Sequence, residues 1–325
     1  MSRRAAKLVV LATLSFALIS AVAASAVFGA FLKSTANAGN TITAATDFVA
    51  PEVTASVISK STGGVAGLIK KAGTYYVYAN VEDAGNPSSG LKTVTANVTT
   101  ITSGTTAASL SAGTYEVEGV EYNRRSAKLT AGSSLAAGSY SYSVTAKDVS
   151  GNSATESGFS VEVDNTVPAA ADVQTTNGGA IAGRPDIGDK ITLTLTKEIE
   201  PETVLAGWTG PSTSVVVRVN NVEAADTVTI YNSTNKTLLP LGTISLGRTD
   251  YTTANITFGA SGTASTMTMS GNQIMIVLGT QSAAGTTAAS TGTMTWTPVA
   301  TPTDFAGNAV STTAKTESGS ADKDF

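Results

Sequence analysis

The chain has 325 residues, a net charge of −4, and neither histidine nor cysteine. These absences remove the usual general base at neutral pH, the best side-chain nucleophile, disulfides, and the ligands of structural zinc and iron–sulfur sites. A mildly acidic chain without basic clusters is also a poor partner for nucleic acid.

Arg3, Arg4 and Lys7 precede a run from Leu8 to Leu32 with no charge, and Lys33 closes it. A basic head, an apolar stretch and small residues at Ala24-Ser25-Ala26 and Phe28-Gly29-Ala30 read as a signal peptide over residues 1–30. Left uncleaved, residues 8–32 are long enough to span a bilayer as an anchor. The expectation is an exported protein, secreted or held at the cell surface. Residues 31–50 follow as an N-terminal arm. Within it, Thr41 to Val49 has strand-forming composition. It reads either as a strand donated to the sheet edge of a second copy, or as a spacer or first strand of its own domain.

Beyond the arm, period-two runs of Val, Ile, Thr and Tyr predict strands at Glu52 to Ile58, Thr74 to Val81, Val94 to Val98, Ser139 to Ala146 and Phe159 to Val163. The pattern returns at Ile191 to Leu195, Ser214 to Val219, Thr227 to Tyr231, Asn255 to Phe258 and Ile274 to Leu278. Such alternation, punctuated by Gly, Asn, Asp and Ser, indicates antiparallel sheets with one wet face. The best helical candidate is Ile199 to Gly207, with Pro201 at its start. Asp164-Asn-Thr-Val-Pro168 reads as a short rigid joint, because proline forces Val167 toward extended backbone. The chain then divides into a β-sandwich at 51–165, a larger β domain at 166–316 and a loose polar tail at 317–325.

Leu135-Ala-Ala-Gly138-Ser-Tyr140 has the spacing of a tyrosine corner, and Asp148 to Asn152 that of the hairpin turn after it. This segment resembles the penultimate strand of bacterial immunoglobulin-like and fibronectin-III-like domains. Gly188-Asp189 through Pro201, with the closing turn Asp304-Phe-Ala-Gly307-Asn308, is similar to the immunoglobulin-like domains of bacterial surface proteins; Lys197 departs from the acidic residue common there. Around Phe31, residues 29–45 resemble exported biofilm-fibre proteins cut by the specialised signal peptidase of spore-forming bacteria. In those, cleavage falls before a Phe, and some members polymerise by donating a strand. The resemblances imply an all-β fold of tandem immunoglobulin-like sandwiches behind a signal peptide, and leave function open.

Several residues are candidates for sites. Glu82, Asp83 and Asp148 could offer calcium hard oxygens, but Asp and Asn beside Gly are equally what hairpins require, so no metal is assigned. If Tyr75, Val77, Ala79 and Val81 face inward, Tyr76 and Tyr78 form an exposed pair suited to a sugar ring; Trp208 and Trp296 could be platforms or core. Ser89 with Lys92, and Ser320 with Lys323, match a Ser-x-x-Lys dyad by letter alone. Glu198, Glu200 and Glu202 could be glycosidase-type carboxylates or the wet side of a strand end. Lys60 and Asn165 are residue types of a Lys–Asn crosslink, and Asn97, Asn232, Asn235 and Asn255 head glycosylation sequons. We expect no catalytic, metal or cofactor residues. The sequence reads as a secreted or cell-surface structural protein of a matrix, envelope or fibre, with an adhesin for glycans or proteins as the alternative. Its expected partner is a second copy or a surface glycan or protein, and no nucleic acid.

Overall fold

The computed structural model describes residues 47–63 and 65–325. The expected signal peptide, the candidate membrane span at 8–32 and residues 31–46 of the arm lie outside the described residues. Among the described residues the protein is all-β, in two sheets, and no helix is long and apolar enough to cross a membrane.

The first sheet comprises β1 (Glu52–Lys60), β2 (Leu68–Ile69), β3 (Thr74–Glu82), β4 (Leu91–Asn97), β5 (Ala108–Val117), β6 (Val120–Ser126), β7 (Leu129–Thr130), β8 (Gly138–Asp148) and β9 (Ser153–Val163). One layer runs β1-β3-β6-β5 and the other β4-β8-β9-β2, with β5 also touching β4 to join them. β2 lies parallel to β9; the other pairings are antiparallel. Leaving out the short β2 and β7, four strands face three in the order of a constant-type immunoglobulin sandwich. Alternation fills the space between the layers: Tyr75, Val77, Ala79 and Val81 from β3 meet Tyr142, Val144 and Ala146 from β8, all buried. Tyr140 forms the predicted corner, its hydroxyl donating to the Ala136 carbonyl at 3.1 Å.

The second sheet contains β10 (Ala170–Thr176), β11 (Lys190–Leu195), β12 (Thr213–Asn220), β13 (Thr227–Asn232), β14 (Thr243–Ser245), β15 (Ile256–Phe258), β16 (Ser265–Ser270), β17 (Gln273–Val277), β18 (Thr295–Thr297) and β19 (Lys315–Thr316). Its order is β10-β11-β17-β16-β12-β13-β14-β18-β19, with β15 against β12. The ribbon rolls until β19 approaches β10, where Gln174 Nε2 donates to the Ser318 carbonyl at 2.9 Å and Ser318 N to Asp172 Oδ1 at 2.8 Å. Both tryptophans belong to this core. Trp296 donates to the Leu241 carbonyl (2.7 Å) and Trp208 to that of Pro211 (2.6 Å).

Two expectations need correction. The predicted helix at 199–207 is only a 3-10 turn, Pro201–Thr203: Val204 N and Leu205 N both donate to the Pro201 carbonyl, and Gly207 at φ +76° turns the chain away before a second turn forms. The tail at 317–325 is not loose. Asp324 and Phe325 are 1% and 3% exposed, and the Phe325 ring stands edge-on to Tyr251 at 5.8 Å. One aromatic side chain outweighs the polarity of the eight residues before it in the tail.

Candidate functional site

The sequence candidates disperse. Tyr78 is buried and Tyr76 half-buried, in a cluster with Tyr115 and Tyr122. Arg125 lies over the rings of both Tyr76 and Tyr115, at 4.6 and 4.3 Å. The hairpin of β5 and β6 supplies these partners, so the pair is not the open platform expected. Glu198 is half-buried, Glu200 buried and Glu202 exposed, so they do not pair. Ser89 receives Ser150 N at 3.2 Å and Ser320 is exposed. Lys60 bonds Glu200, while Asn165 bonds Lys71 N and the Leu135 carbonyl, so no Lys60–Asn165 linkage is prepared.

What the fold does assemble is a junction. From Asp164 to Ala169 the chain is held alternately by both modules. Asp164 N donates to the Ile69 carbonyl (2.9 Å), and Asn165 Oδ1 accepts from Lys71 N at 2.8 Å, both in the first module. On the other side, Thr196 N donates to the Ala169 carbonyl and Ser311 N to that of Pro168, each at 2.8 Å. Lys197 Nζ bonds Asp164 Oδ2 and, at 2.7 Å, Asp304 Oδ2. Asn308 Nδ2 donates to the Asp164 carbonyl at 2.8 Å. Across the boundary Lys60 Nζ meets Glu200 Oε2 at 2.5 Å, with side chains 10% and 8% exposed. Beside this pair runs a cleft of about 350 Å³, lined in part by Lys70, Thr203 and Gly307.

The electrostatics follow from these contacts. Burial opposes the charge of Asp164, but hydrogen bonds from Lys197 and Thr166 N outweigh it and hold the carboxyl below its usual range. Burial likewise opposes the Lys197 ammonium, and the two aspartates reverse that, raising its pKa.

The opposite pole of the first module repeats this plan with one change. Asp47 precedes Pro51 as Asp164 precedes Pro168, and each carboxylate accepts from the amide two residues on, Val49 N (3.0 Å) or Thr166 N (2.8 Å). Asn152 Nδ2 donates to the Asp47 carbonyl at 3.1 Å, as Asn308 does to that of Asp164. Asp148 and Asp304 each cap their turn, accepting from Asn152 N (2.7 Å) and Asn308 N (2.8 Å). The strand registers match as well: Val53 pairs with Val81 just before a bulge, and Ala170 with Leu195 just before another. Two residues beyond Val81 stands Asp83; two beyond Leu195 stands Lys197. Both continue the inward face of their strand. Asp47 was missed from sequence because it lies in the arm. The repeated Asp-x-x-x-Pro spacing was the signal that could have found it.

No family model, curated protein or solved structure matches the chain.

Proposed function

We propose that the protein is a structural component of a secreted or cell-surface matrix, envelope or fibre, in which two β modules act as one spacer. The observation that supports this reading is the junction, whose linker is hydrogen-bonded to both sides and flanked by the buried Lys60–Glu200 pair. A joint of that kind transmits force and fixes spacing, whereas inter-domain motion is the default for a sparsely bonded linker. Of the carboxylates and serines considered, Glu200 is paired with Lys60 and Ser89 accepts from Ser150 N, while the aromatic pair expected to hold sugar is packed under Arg125.

The test is immunolabelling of intact producing cells and their matrix with antibody to the purified chain, beside electron microscopy of chains beginning at Phe31 and at Pro51. Surface or matrix label on intact cells is the expected result, and label only after lysis overturns the reading. Filaments from the longer chain alone would assign assembly to residues 31–50.

A further inference from the structure

The geometry points to a divalent-cation site of the calcium class at the pole of the first module opposite the junction, formed by Asp47, Asp83 and Asp148. One carboxylate oxygen from each of the three lies within 4.8 Å of the others. Asp47 is 3% exposed and Asp148 fully buried. Asp83 Oδ1 is itself buried and has no hydrogen-bond partner. Gly85 packs so closely on Asp47 that a Cβ there would sit 2.4 Å from Oδ1, which keeps the loop against the cluster.

An acidic cluster alone says little. The second module supplies the independent observation, because it shows what this architecture places between its two conserved-in-plan aspartates. There the strand register puts Lys197, and its ammonium bonds Asp164 and Asp304 together. In the first module the same register position is Asp83, so two carboxylates around a cation become three carboxylates with no described Lys or Arg paired to them. Carboxylates this close repel one another, and a cation set between them, where Lys197 stands in the second module, relieves that repulsion. The remaining donors are oxygens only, which selects a hard cation; carboxylates in a flexible loop suit calcium, with backbone carbonyls and water completing its six to eight ligands. A bound cation would fasten the chain at Asp47 to the Asp148–Asn152 turn, as Lys197 fastens Asp164 to the Asp304–Asn308 turn.

The experiment is calcium titration by calorimetry of the full chain stripped with chelator, with thermal unfolding in parallel. Asp83→Asn keeps the shape and removes one charge; Asp83→Lys installs the second module's solution. For the parent chain we expect saturable binding and a rise in Tm of roughly 5–10 °C at about a hundred times Kd. Asp83→Asn should weaken binding about tenfold or more. Asp83→Lys should lose the calcium response while melting in chelator at or above the parent. A parent chain with no binding heat and equal Tm in calcium and chelator overturns the proposal. Undiminished binding by Asp83→Asn also overturns it, and would direct attention to Glu317, Asp322 and Asp324.

Discussion

Lys60 and Glu200 belong to different modules, yet they form a nearly buried ion pair, Nζ to Oε2 at 2.5 Å. Removing one partner leaves the other's charge in a site that water scarcely reaches. Lys60→Met or Glu200→Gln is therefore expected to destabilise the folded chain by about 3 kcal/mol, and the double change by clearly less. Urea unfolding of the three variants measures the coupling. Additive losses would show that the pair does not join the modules.

Asn308 holds the linker by its side chain, and Asn308→Ala leaves the Asp164 carbonyl and the Asp304 carboxylate each short of a donor. The expected loss is about 1–2 kcal/mol. Limited proteolysis should cut between residues 164 and 169 sooner than in the parent; an unchanged cleavage rate would argue that the remaining backbone bonds suffice.

Lys197→Asp would give the second module the acidic arrangement of the first. In chelator it should lower Tm by on the order of 5 °C, since Asp164 and Asp304 lose their counter-charge. Calcium should raise the variant's Tm by more than it raises the parent's. A rise no larger than the parent's would contradict the equivalence of the two poles.

Asp324 is pushed up to about 7, first by burial and then by the charge of Glu317. The folded protein therefore keeps this proton where the unfolded chain has released it. Stability from this group is fully present below about pH 4 and is lost as pH rises to about 7, by on the order of 3–4 kcal/mol at most. Asp324→Asn should remove that slope. Urea midpoints at pH 5 and pH 7.5, parent against variant, decide it; parallel pH profiles would assign the dependence to other groups.

Tyr140→Phe deletes only the corner hydrogen bond to Ala136. A loss of about 1 kcal/mol is expected, with the sandwich otherwise intact. Unfolding followed by tyrosine-independent far-UV circular dichroism measures it.

The strands that could be read from sequence are those whose inward residues are large and regularly spaced. β3 and β8 are examples, and each of the ten predicted runs overlaps an observed strand. β5 escaped because Leu110 and Val117 are buried but a register shift between Ala112 and Tyr115 breaks the period between them. β10 escaped because only Val173 is fully buried and a bulge displaces its start. Tyr76 and Tyr78 were placed on the correct face, but their cover comes from β5 and β6 some forty residues away in sequence. The turns at Asp148 and Asp304 were legible as turns. Their kinship as poles was not, because matching Asp83 to Lys197 requires the strand register and not the letters.

The docking of Phe325 beside Tyr251 has a bearing on biosynthesis. β10, the first strand of its module, is approached by β19, the last, so the barrel-like roll closes only when residues about 145 apart in sequence meet. Such pairing is slow compared with local hairpins. Every residue of the first sandwich has been made by Val163, whereas the second module lacks a core side chain until Phe325 is added. A stop codon just before Phe325 should therefore leave a folded first module trailing an open, aggregation-prone sheet.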